Sequence, residues 1–197
     1  MDFWGSVLLA LSIAFAGWQF HKENKRKRIE KAIELSKFFA DEIIPACSQI
    51  IRKYDELNLT TEIENAINLE KVKYFDEQEL SQMNPDMAEK WKNAYNPFMG
   101  DEREKNVTLL NHLEYFSMQF TSKVADEKAV YQSLHQAFLK TIKLMYVYIA
   151  MMNKNNNSKY YTNIIELFTS WEKRRVKHTE KEKKSRVKKG SHKQPRI

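Results

Sequence analysis

Asn111 and Glu114 stand one helical turn apart amid Leu109, Leu110, Leu113, Phe116 and Phe120. An amide and a carboxylate at the flank of such an apolar stripe must find partners, because a buried carboxylate without one is strongly destabilising. The pair reads either as a support for a neighbouring helix end, a tyrosine or a lysine, or as part of a binding pocket. His112 and His135 are the other side chains with chemical reach. Neither has a Glu or His three or four residues on, and the inward Glu-x-x-His spacing of di-iron bundles is missing throughout. HExxH, CxxC, P-loop and GxGxxG patterns are also missing. No catalytic residue, metal or cofactor is assigned on this basis, and the balance of the reading leans away from an enzyme. Cys47 is the single cysteine; it forms no intramolecular disulfide and reads as a small buried apolar residue.

The elements that must position these residues are helices. Four glycines and four prolines in 197 residues are too few for a sheet protein with several tight turns. Periodicity predicts helices over about 101–124, 126–153 and 158–184. The middle one is apolar nearly all round from Ile142 to Met152, too short to cross a bilayer and suited to the centre of a bundle. Tyr161, Ile164, Ile165, Phe168 and Trp171 give the last helix one apolar face. The polar turn Asn153 to Ser158 is short enough to make these two helices antiparallel. Upstream, two shorter helices are expected near 61–72 and 76–94. Thr60, Thr61 and Asp76 are candidate caps, the last with Glu79 in capping-box spacing. Asn84-Pro85 interrupts the second of these helices, and Tyr95 to Gly100 forms a loop. Before them, apolar residues from Ile29 to Leu57 predict a long amphipathic helix that Pro45 kinks or splits. Its seam suits either packing within the domain or a homodimer.

Phe3 to Phe20 holds no charge. Eighteen residues at about 1.5 Å each span about 27 Å, close to the thickness of a hydrocarbon core, with Trp4 and Trp18 near the two interfaces. This predicts a membrane anchor through residues 3–20. Only Asp2 precedes it, whereas Lys22, Lys25, Arg26, Lys27, Arg28 and Lys31 follow, so the expected topology is N-terminus outside and the remainder cytoplasmic. Two rivals stand beside it: a signal peptide cut at Ala14-Phe15-Ala16, and a surface-lying amphipathic helix. The first lacks basic residues ahead of the apolar run, the second a polar face. Ser6, Ala10, Ala14 and Gly17 line one side with small residues, which suits a partner helix or none.

Charge divides the chain into three. Residues 21–31 carry six basic and two acidic side chains, residues 32–172 fifteen against twenty-one, and residues 173–197 twelve against two. The tail includes Lys173, Arg174, Arg175, Lys183, Lys184, Lys188 and Lys189. It reads as a solvated helix end, as a contact to anionic lipid, or as a nucleic-acid contact gripping phosphates. No aromatic follows Trp171 on which a base would stack, so nucleic acid is not favoured. Three glycosylation-type patterns, Asn58-Leu59-Thr60, Asn106-Val107-Thr108 and Asn156-Asn157-Ser158, are accidental if the domain is cytoplasmic.

Leu110-Asn111-His112-Leu113-Glu114, then Asp126-Glu127 ahead of a helix with Tyr131, then Tyr160-Tyr161 leading to Trp171-Glu172 together resemble the bacterial family classed as domain of unknown function 4760. The resemblance covers Arg103 to Arg175 and extends upstream in general layout. It implies an all-helical cytoplasmic domain behind one N-terminal membrane helix and draws attention to Asn111 and Glu114. It brings no activity, substrate or cofactor. The family's glycine before the Asp-Glu pair is replaced here by Val124-Ala125, which predicts a different local turn. The expected layout is an anchor (1–21), a basic flank and juxtamembrane helix (22–58), an all-α bundle (59–172) and a basic tail (173–197). The expected role is a protein-interaction or regulatory module at the inner membrane face with an unidentified protein partner. The alternative is a membrane-tethered nucleic-acid contact through the tail.

Overall fold

The computed structural model describes residues 3–56, 58–68, 70–83, 85, 103–153 and 159–191, the side chains of 3–6, 10, 59, 64 and 185–191 excepted. All regular structure among them is helical: α1 (Phe3–Phe38), a π turn (Phe39–Ile43), α2 (Ile44–Glu56), α3 (Leu59–Ala66), α4 (Glu77–Met83), α5 (Arg103–Thr121), α6 (Glu127–Met152) and α7 (Thr162–Ser191). The three long helices expected downstream are α5, α6 and α7. The two shorter ones are present as α3 and α4. The stretch of the expected 76–94 helix beyond Pro85, the 95–100 loop and the 154–158 turn lie outside the described residues.

Pro45 neither breaks the first helix nor kinks it in the ordinary way. Its ring has no N–H and would clash with the carbonyl four residues back, and the helix widens just ahead of it. The N–H of Ile44 donates to the carbonyl of Phe39, five residues back. The extra residue in this turn keeps both Phe39 and Ile43 fully buried, so the apolar stripe survives the proline.

Contacts fix the directions of the helices. The N–H of Asp126 donates to the carbonyl of Arg28 at 3.0 Å, and Thr141 meets Cys47 at 3.5 Å, so α6 runs parallel to α1 and α2. α7 returns along α6: Phe168 reaches Tyr146 through Phe75, Trp171 packs on Phe138, and Arg174 covers Tyr131. Phe116 of α5 lies 5.0 Å from Phe39, 5.9 Å from Phe138 and 6.4 Å from Trp171, which ties the π turn that continues α1 to α5, α6 and α7 in one core. Each such aromatic pair adds about 0.5–1.5 kcal/mol beyond the area it buries. Ile142 and Leu144 to Ala150 are all buried, so the run that is apolar all round occupies the bundle centre, as its length implies.

The N-terminal half of α1 projects from this bundle. Among the described residues no helix is long and apolar enough to cross a membrane, so the expected span over residues 3–20 gains no support there. The side chains of residues 3–6 and 10 fall outside the described set, which removes Trp4 and two members of the small-residue row. From Leu8 onward the described side chains are solvent-facing on every side of the helix: Leu8, Leu9, Leu11, Ile13, Phe15, Trp18 and Phe20 are 57–68% exposed. Around Gly17 nothing approaches within 4 Å of where a Cβ would stand.

Candidate functional site

Glu114 sits where α5 passes the start of α7. The first N–H groups of any helix lack intrahelical partners, and Glu114 supplies them for α7. Its Oε1 accepts from the N–H of Asn163 at 3.1 Å and from Asn163 Nδ2 at 2.7 Å, and its Oε2 from the N–H of Ile164 at 3.0 Å. Thr121 Oγ1 donates to Asn163 Oδ1 at 2.6 Å, closing a small polar network between α5 and α7. The negative carboxylate also suits the positive end of the helix dipole. Asn111 takes no part in it. It lies on the exposed outer face of α5 with Tyr115 and Met118, four and seven residues on.

The histidines are placed apart from this network. His112 packs its ring edge against Phe38 at 5.3 Å, and its Nδ1 is buried with no hydrogen-bond partner. His135 Nδ1 is 2.8 Å from the Tyr131 carbonyl, and its ring stacks on Tyr131 at 4.5 Å. Among the described residues no group of three or more His, Cys, Asp or Glu side chains gathers to hold a metal. The Cys47 thiol is pushed up by burial, partly offset by its contact with Thr141.

A second carboxylate centre emerges at α4. Asp76 Oδ1 accepts from the N–H of Glu79 at 2.7 Å, the expected cap. Glu79 then reaches further back than a capping box requires. It accepts from the N–H groups of Lys73, Tyr74 and Phe75, at 2.6 Å from the first, and from Tyr146 Oη at 3.0 Å. Burial, then the neighbouring Glu79 charge, drives the Tyr146 phenol far above its ordinary range. Fully buried Asn153 completes the joint, with Nδ2 donating to the Phe75 carbonyl at 3.1 Å and Oδ1 accepting from the N–H of Tyr160 at 2.7 Å. Only the spacing of Asp76 and Glu79 signalled this centre in sequence. Each of these hydrogen bonds serves to hold the fold.

The basic tail divides into two kinds of residue. Arg175 forms a two-pronged pair with buried Glu172, at 2.7 and 2.6 Å, and reaches Glu70 at 3.4 Å. Arg174 lies 3.7 Å over the Tyr131 ring and 3.4 Å from Glu127. Lys173, Lys183 and Lys184 are exposed, as is every residue from Lys177 to Lys184. The side chains of Lys188 and Lys189 lie outside the described residues.

The exposed bases do not stand alone. Lys173, Lys177 and Lys181 line a groove against Tyr131 and Gln132. Arg174 carries that groove into a second, formed with Arg28, Lys123, Lys128 and three acidic residues, Asp126, Glu127 and Glu166. Arg28 and Lys123 carry it on into a third, lined by His21, Lys25, Lys27 and Lys31 of α1. The three grooves form one surface, with bases gathered from three distant parts of the chain.

The sequence matches the family described as Domain of unknown function (DUF4760) over residues 6–171. The chain belongs to the DUF4760 family. No curated protein and no solved structure matches it. The DUF4760 match starts far upstream of the Arg103 boundary drawn from motifs, and takes in most of α1. It stops at Trp171, so Glu172 and the basic half of α7 lie beyond the part this chain shares with DUF4760. Glu114 and its partner Asn163 fall inside the match, consistent with a support for the DUF4760 fold; the exposed lysines of α7 fall outside it.

Proposed function

We propose that this DUF4760 chain is a single-pass membrane protein whose helical bundle works as an interaction or regulatory module at the inner face of a bacterial cytoplasmic membrane. The observation that carries the reading is the N-terminal half of α1. Its large apolar side chains from Leu8 to Phe20 are 57–68% exposed all around the helix, in a stretch without a charged residue. A lone helix that is apolar all round finds a favourable solvent in lipid, and water opposes leaving it bare. The basic run from Lys22 to Lys31 favours an orientation with the bundle on the cytoplasmic side.

A protein partner is supported by the outer face of α5, where Asn111, Tyr115 and Met118 are exposed together. Tyr115 also packs on Phe38 at 5.7 Å, which fixes the ring in place as a contact surface. The anchor is tested by washing membranes that hold the full-length chain with alkaline carbonate, and by reporter fusions at Ile197. Release by carbonate, or an external reporter, would overturn it. A photocrosslinker at Asn111 should capture one defined protein; recovery of lipid alone would remove the partner from the proposal.

A further inference from the structure

The three connected grooves lie at the end of the bundle from which the apolar half of α1 emerges. Asp126 is hydrogen-bonded to the Arg28 carbonyl, and Arg28 follows Phe20 by eight residues, about 12 Å along the helix. Lys25 and Lys27 are nearer still. If Phe20 marks the edge of the hydrocarbon, these bases stand within roughly one Debye length of the phosphate layer, about 8 Å at physiological salt.

α7 brings more charge to the same end. It crosses α6 at Tyr131 and Gln132, with Lys173, Lys177 and Lys181 on one flank and Arg175, Thr179 and Glu182 on the other, against His135 and Gln136. The first flank shares Arg174 and Ser170 with the groove that holds Arg28 and Lys123. Lys173, Lys177, Lys181 and Lys184 fall within an arc of about 80° at 100° per residue, with Glu180 at the edge of that arc and Glu172 and Glu182 on other faces. Glu172 is in any case neutralised by Arg175, and Glu182 lies 3.5 Å from His178. Between the two sources of charge, the α5–α6 turn carries Val124, half exposed beside Lys123. An apolar tip flanked by bases is the composition of a segment that enters a headgroup layer.

We infer that this continuous cationic surface docks the bundle against anionic phospholipid in the leaflet next to the anchor. The inference rests on the reading that the apolar half of α1 sits in lipid. Each base near an anionic surface contributes about 1 kcal/mol, and the seven lysines and arginines from Arg28, Lys123 and Lys128 to Lys173, Arg174, Lys177 and Lys181 outnumber the three acids among them.

The test reconstitutes the full-length wild-type chain in nanodiscs of phosphatidylcholine, with and without phosphatidylglycerol. Lysine acylation is then followed residue by residue by mass spectrometry. Phosphatidylglycerol should slow labelling of Lys123, Lys177 and Lys181 several-fold while leaving Lys71, on the α3–α4 link, unchanged, and high salt should reverse the protection. A chain with Lys177→Glu and Lys181→Glu should lose the protection at Lys123 and keep its place in the disc. Retention in both kinds of disc with equal labelling would overturn the docking surface and leave the anchor standing. Binding to phosphatidylglycerol discs that high salt releases entirely would overturn the anchor and leave the surface. Protection by added DNA without protection by phosphatidylglycerol would overturn the inference in favour of nucleic acid.

Discussion

Glu114 is the residue where sequence and structure meet most directly. Its position beside an apolar stripe demanded a partner, and the partner is the start of α7, one of the roles the stripe allowed. Glu114→Ala should lower stability to urea by about 1–3 kcal/mol, because two backbone N–H groups and the Asn163 amide lose an ionised acceptor. Asn111→Ala, on the exposed face of the same helix, should change stability by less than about 0.5 kcal/mol. Equal effects would mean that Glu114 does not cap the helix. The tail offers a similar contrast. Arg175→Ala strands the buried Glu172 carboxylate and should cost about 2 kcal/mol, short of a fully buried pair because Arg175 is partly exposed. Lys177→Ala should leave the melting curve in place. A block of like charge in sequence does not reveal which of its members are joints, since Arg175 is distinguished only by where Glu172 points.

At the scale of elements, α5, α6 and α7 were legible because their apolar residues recur with helical period over many turns. The π turn was not. One extra residue between Phe39 and Ile43 shifts the stripe by less than the stripe's own width, so the pattern still reads as one helix, and Pro45 marks the place without naming the remedy. The Glu79 centre was half legible: capping-box spacing identified Asp76, while the carboxylate's reach to Lys73 and Tyr146 depends on the fold of the link before α4. That link and the buried phenols predict alkaline lability. Tyr146, Tyr148 and Tyr161 all have phenols raised above their ordinary value of 10.0, chiefly by burial. The unfolded chain releases these protons near 10, while the folded one holds them to higher pH. Stability should thus be unaffected by them below about pH 10 and fall as pH rises further. Phenolate absorbance rising in step with loss of helical circular dichroism would bear this out; ionisation of all tyrosines in a still-folded chain would refute it.

For the molecule as a whole, among the described residues the core draws on α7 through its first half. Trp171 is fully buried against Phe116, Phe138 and Tyr131, so Trp171→Ala should cost about 3–5 kcal/mol. Ending the chain after Glu182 should leave thermal unfolding unchanged, since the first residues removed, Lys183 and Lys184, are exposed and the exposed run reaches back to Lys177. The cationic surface was invisible in sequence for a topological reason. Its bases come from residues 25–31, 123–128 and 173–181, three segments that only the return of α6 and α7 to Arg28 brings side by side. The sequence showed two basic runs separated by an acidic body, and the fold joins them.

α1 is continuous from Phe3 to Phe38, with no loop between the part that stands bare and the part that Ala32 and Leu35 bury in the core. Thirty-six residues make a rod of about 54 Å. Such a rod has no swivel where it leaves the bundle, so a change in its inclination is delivered undiminished to the far side of the domain as leverage. The outer face of α5 would then be swung toward or away from whatever surface the rod is planted in.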